Sequence, residues 1–356
     1  MAKILYITGN NWGWIKQRPQ FLAEELAKAN SLFVLYKASY KSLGLSLNKS
    51  NLPRLPILRL PFSRFILIKT LNRALEILII HISVYLHQPD IIFFSDPEQF
   101  TNPRFFRGKI VLDYMDDHRA WTRVKTEAKR LQRIEKLEKE AFVTCAKIFV
   151  SSVSLRTKLI HRGCPKNKVC LVFNAFGGLA MKDRAPQKRN EGDLIQVLYF
   201  GAISDYFDID SVIKLLESDE RIYIHLAGPV EKLLPSHPRL IILGTIEHSD
   251  LMRKAREYEY YIYPFLVNDL IASVDPVKIY EYINLGGQII SVEYEEIRKF
   301  KDFIYFYNDK KKIDVVFQDM LRDKKIKYSI KERNEFLAQN SWQHRAELIN
   351  RELQIL

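Results

Sequence analysis

Short, nearly unbroken apolar runs of strand length recur along this chain with amphipathic stretches between them, and that alternation narrows the fold more than any other feature. The first series is residues 4–7, 32–36, 91–94, 110–112, 148–151 and 169–173. Runs without polar alternation suit strands buried on both faces, as in a parallel sheet covered by helices. Between two of them, Val124, Leu131, Ile134, Leu137 and Ala141 fall at helical spacing within 121–143, which predicts a surface helix. A second series follows at 195–200, 222–227, 240–243, 259–263 and 288–292, with helices expected near 209–217, 249–257 and 276–285. The polar, Gly- and Pro-punctuated stretch 176–193 separates the two series and reads as a linker. At roughly 150 residues per domain, the 356 residues make two domains. The expectation is an α/β chain with Rossmann-like domains at 1–175 and 194–339, whose ligands bind where the carboxyl ends of the strands face a cleft.

Composition removes several function classes. Cys145, Cys164 and Cys170 are odd in number and lack C-x-x-C spacing, so neither a disulfide framework nor a zinc site is indicated and a reducing cytoplasm is expected. The amino terminus lacks the apolar stretch and small-residue cleavage site of a signal peptide, so export is not expected. The longest apolar stretch, 74–86, is interrupted by Glu76 and His81 and falls short of the ~20 residues of a spanning helix. Charge is uneven: residues 1–175 carry 29 Lys and Arg against 13 Asp and Glu, whereas the remainder is nearly balanced. A basic first half points to an anionic partner there, such as a phospholipid surface, a lipid phosphate or nucleic acid.

Four stretches carry candidate chemistry. In Asn268 to Gly287, Asp275 as N-cap and Pro276 in the first turn predict a sharp helix start. The free amides of Val277, Lys278 and Ile279 with the Lys278 charge would hold an anion, and Glu281, one turn on, could accept hydrogen bonds from ribose or sugar hydroxyls. Phosphate and polyol side by side describe a nucleotide sugar; the plainer alternative is a capped helix with solvated charges. The turn at Gly201 and Ala202 lets backbone approach a phosphate, and the absence of G-x-G-x-x-G weighs against dinucleotide redox chemistry. Asp116, Asp117 and His118 follow a strand end, where they could act as general base or bind an acceptor hydroxyl in preference to a metal; at least one Asp reads equally well as a helix cap. Asn10, Asn11, Trp12, Gly13 and Trp14, with Arg18 opening the next helix, suit an acceptor sugar that stacks on indole and bonds to amides, although either Trp fits a core position as well.

With these motifs the chain resembles the GT-B glycosyltransferases of the family 4-like group, bacterial enzymes that build capsule, teichuronic-acid and lipopolysaccharide glycans. The resemblance runs from RPQ at Arg18 to Gln20, through YMDD at Tyr114 to Asp117, YFGAISDYFD at Tyr199 to Asp208, LAGP at Leu226 to Pro229, LGTI at Leu243 to Ile246 and DPVKIYEY at Asp275 to Tyr282, to SW at Ser341-Trp342. It implies a donor-binding second domain, an acceptor-binding first domain and a last helix, within 340–356, returning to the first. It also implies transfer from a nucleoside-diphosphate sugar, a UDP-sugar favoured, to a lipid-linked or polymeric glycan, without metal or other cofactor and with retention. By the same resemblance Glu281 holds the donor ribose, the Val277 to Ile279 amides face the pyrophosphate, and backbone near Ile246 meets the base. Ser273 stands where the family has a first carboxylate, eight residues before Glu281, and Ala202 where it has Arg, so Lys278 is expected to supply the missing charge. The enzyme alternative is a sugar-nucleotide epimerase or a phosphorylase. A basic nucleic-acid-binding module is a third reading, which the absence of interleaved aromatics and of any recognition motif disfavours.

Residues 53–86 mix large aliphatics with Arg54, Arg59, Arg64, Lys69 and Arg73. Four basic residues in 53–69 are hard to bury, so this part is expected to touch an anionic membrane surface from the cytoplasmic side, as a peripheral contact. From Thr70 onward an ordinary buried helix is an equal alternative.

Overall fold

A computed structural model describes residues 1–13, 16–40, 50–103, 105–121, 127–178, 181, 192–323 and 326–356. Trp14, Val124 and most of the expected linker lie outside the described residues. The chain divides into two compact units, residues 1–174 with 342–356, and residues 175–341.

The first unit is built on seven parallel strands: β1 (Lys3–Thr8), β2 (Ser31–Ser39), β3 (Arg54–Arg59), β4 (Ile91–Phe94), β5 (Lys109–Tyr114), β6 (Lys147–Val150) and β7 (Val169–Leu171), in the order β3-β2-β1-β4-β5-β6-β7. Leu5, Ile7, Phe94, Leu112 and Val150 are fully buried, as strands covered on both faces require. β3 escaped the sequence reading because it is an edge strand: Pro56 fits only where a ladder hydrogen bond is dispensable, and one of its six residues is buried. The helix expected at 121–143 runs Ala128–Thr144. The last helix, Trp342–Gln354, belongs to this unit. Trp342 stacks on Phe21 at 5.3 Å, and the Arg345 Nε donates to the carbonyls of Phe173 and Asn174.

The helix Ile66–His87 departs from its expected burial. Of its 22 residues only Glu76, Ile80 and Ser83 are buried, while Leu67, Leu71, Leu78, Ile82 and Tyr85 fall at intervals of four, seven, four and three residues and are 44–79% exposed. Side chains at that spacing share one helical face, so the helix carries an uncovered apolar stripe and is not an ordinary core helix.

The second unit has six parallel strands, β8 (Ile195–Phe200), β9 (Ile222–Ala227), β10 (Leu240–Gly244), β11 (Tyr260–Tyr263), β12 (Gln288–Val292) and β13 (Ile304–Tyr307), in the order β10-β9-β8-β11-β12-β13. In each unit the strand order reverses once, between β1 and β4 and between β8 and β11, and open parallel sheets bind ligands at the carboxyl ends flanking such a reversal. No helix among the described residues is long and apolar enough to cross a membrane.

Candidate functional site

In the second unit the reversal point gathers most of the expected donor residues. β8 is followed by Gly201, whose φ of +133° belongs to the region glycine tolerates and whose amide donates to the Ala227 carbonyl at 2.8 Å. Gly228 lies directly against it: a Cβ there would meet the Gly201 carbonyl oxygen at 2.1 Å. The two glycines let the β8 and β9 loops touch backbone to backbone. Tyr199 fixes the turn, its hydroxyl donating to the Ala202 carbonyl at 2.8 Å.

Over this turn lies Lys278. A Cβ on Gly201 would be 2.0 Å from Lys278 Cε and 2.7 Å from Nζ, so the glycine makes room for the ammonium. The Lys278 side chain also approaches the Phe265 ring at 6.0 Å, and no carboxylate pairs with it among the described residues. Burial pulls its pKa down, with Glu281 pulling the other way. A half-buried ammonium without a bonded anion is costly unless a ligand supplies one.

The helix beneath it, Val277–Leu285, starts one residue later than expected, with Pro276 at the N-cap. Asp275 does not cap it. Its buried carboxylate pairs with Lys299 at 2.7 Å and accepts a long hydrogen bond from the Tyr280 hydroxyl, so its role here is to anchor the loop. The Ile279 amide already donates to the Pro276 carbonyl, which leaves the first two amides, Val277 and Lys278, as the more available donors. Ser273 is buried and its hydroxyl donates to the Asp269 carbonyl.

Glu281, one turn after Lys278, holds a partner that the sequence reading missed. His248 Nε2 lies 3.0 Å from Glu281 Oε1, and this carboxylate raises the His248 pKa against the opposing effect of burial. His248 opens the helix His248–Ala255, two residues after Ile246. Its 33-residue separation from Glu281 left no local signal; only the fold brings the loop after β10 to this carboxylate.

The first unit sorts the catalytic candidates. Asp117 is buried and held by Arg162 at 2.8 and 2.9 Å and by Lys158 at 3.1 Å, the pattern of a structural anchor. Asp116 is half-buried, and its side chain makes no hydrogen bond or ion pair among the described residues. Burial raises its pKa, while His118 and Arg18 oppose the rise. His118 is buried and stacks on Trp121 at 4.5 Å. Burial disfavours its charged form, but Asp96, Glu98 and Asp116 outweigh that and raise its pKa.

Two expected acceptor residues have other employment. Arg18 is 4% exposed and forms a two-pronged ion pair with Asp113, at 2.8 and 2.7 Å, while also donating to Asn174 at 3.1 Å. Removing one partner of such a buried pair typically costs about 3–5 kcal/mol, which makes Arg18 a tie between the start of its helix and the end of β5. Trp12 is 1% exposed and therefore offers no open face for a sugar. Asn10 donates to Gln17 at 2.8 Å, and the Asn11 carbonyl oxygen of the side chain accepts from the Gly13 amide at 3.0 Å. The four basic residues expected at a membrane also differ among themselves. Arg54 donates to the Ser50 and Leu52 carbonyls and Arg64 sits over the Phe65 ring, whereas Arg59 and Lys69 line a cavity.

No protein-family profile matches the chain, and no curated protein sequence matches it. Solved structures do. Anabaena HepE in complex with UDP and glucose superposes with a TM-score of 0.70 at 14% identity over 100% of both chains. The lipopolysaccharide outer core galactosyltransferase WaaB gives 0.67 at 11% identity over 99% of both. Sucrose-phosphate synthase from Thermosynechococcus elongatus gives 0.70 at 12% identity over 99% of this chain and 98% of that one. The α/β fold with two parallel sheets is thus shared, over the whole chain, with glycosyltransferase structures.

Proposed function

We propose that this chain is a glycosyltransferase that binds a nucleoside-diphosphate sugar in its second unit and moves the sugar to a lipid-linked or polymeric glycan bound by the first. The observation that carries the reading is the Lys278 ammonium, unpaired among the described residues and packed on the Gly201 turn, one helical turn from the Glu281–His248 pair. A diphosphate would complete the lysine and the helix-end amides, and the Glu281 carboxylate would accept ribose hydroxyls. A UDP-sugar is the favoured donor, in keeping with the UDP and UDP-glucose bound by the HepE structures. Asp116 is assigned as the group that receives the acceptor hydroxyl, because its carboxylate is raised in pKa by burial and is not committed to a cation as Asp117 is. Retention at the sugar and independence from metal follow the family resemblance.

The apolar stripe on Ile66–His87, with exposed Phe62 and Phe65 and the cation Arg64 before its start, is assigned as the contact with an anionic membrane at the cytoplasmic face. Two measurements test the reading. The full chain, given radiolabelled UDP-sugars and a bacterial membrane extract, should place label in the lipid or glycan fraction; conversion of the sugar to its epimer without acceptor would replace transfer by epimerisation. Flotation with vesicles of anionic phospholipid should carry the protein upward, and Leu67→Ser with Leu71→Ser and Leu78→Ser should abolish it. Equal flotation of that variant would refute the stripe's assignment.

A further inference from the structure

The first unit contains a cavity of about 820 Å3 beside its own strand reversal, with Gly9 after β1 and Asp96 after β4 in its wall. Among the described residues, seven cationic side chains line it against four carboxylates. Local pairing uses part of that charge: buried Glu76 lies 2.8 Å from Lys37 and 3.1 Å from Arg73, and Glu98 accepts from Arg130 at 2.7 Å. Burial would raise the Glu98 carboxyl, but the neighbouring His118 and Arg130 outweigh it and hold it at about 2, so this pair stays charged. Arg59, Lys69 and Lys129 line the cavity with no hydrogen bond or ion pair of their side chains among the described residues. Arg59 is close enough to Lys37 to add to the lowering of that lysine's pKa, which burial begins and Glu76 opposes. Like charges converge on one cavity at a mutual cost, which an anion seated among them removes.

We propose that this cavity is a subsite for a phosphate or diphosphate group of the acceptor, so that the acceptor is itself phosphorylated. The proposal rests on the acceptor-side role given to the first unit above. A carboxylate offers one charge and two oxygens; a diphosphate offers several of each, which suits cations arriving from β2, β3 and two helices. The placement also fits a lipid-borne group. On the helix Ile66–His87, Lys69, Asn72, Arg73 and Glu76 line the cavity, whereas Leu67, Leu71 and Leu78 are exposed. A headgroup could therefore enter among the cations while its chain stays in the surface that the stripe contacts. Asp96 links the cavity to the catalytic candidates, lying 3.9 Å from His118.

Equilibrium dialysis of labelled inorganic pyrophosphate against the full chain tests this, with Lys278→Ala introduced to silence the second unit. Saturable binding is expected, weakened at least tenfold by the combined Arg59→Ala, Lys69→Ala and Lys129→Ala changes and reduced by added salt. The same three changes with Lys278 intact should leave UDP affinity unchanged, which also reports an intact fold. Displacement by dodecyl phosphate and not by dodecyl maltoside assigns a lipid phosphate; displacement by glucose 1-phosphate alone assigns a free sugar phosphate. UDP binding without saturable pyrophosphate binding, or equal pyrophosphate affinity in the triple variant, overturns the subsite. Loss of UDP binding alone would instead overturn the donor assignment.

Discussion

Replacing Lys278 by methionine keeps the aliphatic stem that packs over Gly201 and removes only the charge. A hydrogen bond from a charged donor contributes about 1.5–3 kcal/mol, which at 1.4 kcal/mol per decade is about 12- to 140-fold in affinity. UDP affinity should fall by that factor while uridine affinity stays constant, because the ammonium is assigned to the diphosphate. Titration calorimetry on both ligands measures the split. The free protein should behave in the opposite way. Burial lowers the Lys278 pKa, so charging it destabilises the folded state at any pH below its folded value, and that penalty is relieved as pH rises through it. Lys278→Met should therefore melt no lower than the parent at neutral pH. A bound diphosphate restores the charge, so UDP binding should take up a proton near and above the lowered pKa, visible as a buffer-dependent binding heat. UDP affinity within twofold of the parent, or a melting temperature several degrees lower, would refute this account of the lysine.

Asp116→Asn should cut turnover by about 10²- to 10⁴-fold with little change in melting, whereas Asp117→Ala should lose about 3 kcal/mol of unfolding free energy in urea, because Arg162 and Lys158 lose their shared carboxylate. Comparable melting of the two variants, or full activity in Asp116→Asn, would reverse these assignments. For His248, an NMR titration should give a pKa above the free-histidine range and a drop toward it in Glu281→Gln. Since the folded value is the raised one, the pair's contribution is complete below the unfolded pKa of about 6.5 and disappears as pH climbs through the folded value. An identical His248 titration in both proteins would mean that the pair does not persist in solution.

Central strands were legible in the sequence because burial on both faces leaves no polar alternation to disguise them. β3 and β13 were not. β3 carries one proline and two arginines on an edge where pairing is one-sided, and β13, Ile304–Tyr307, is an edge strand with two of its four residues half-exposed. Lys278 and Glu281 were visible because they share one helical face, a local relation. Their environment was not local: the Gly201 turn lies 77 residues before Lys278, and His248 lies 33 before Glu281. The same limit explains Arg18 and Asp113, separated by 95 residues, whose pairing turns an expected ligand contact into a buried tie. Asp275 looked like a helix cap by position, but Lys299 binds its carboxylate more strongly than an amide would, and the helix starts at Val277.

The donor site in the second unit is the central claim, and hydrogen–deuterium exchange of the full chain with and without saturating UDP addresses it directly. Slowed exchange is predicted in three separated segments: the turn at Gly201 to Ile203, the Ile246 to His248 loop, and the first turn of the helix Val277–Leu285. Unchanged exchange in all three with UDP and with GDP, ADP, CDP and TDP, or protection confined to the first unit, would contradict it.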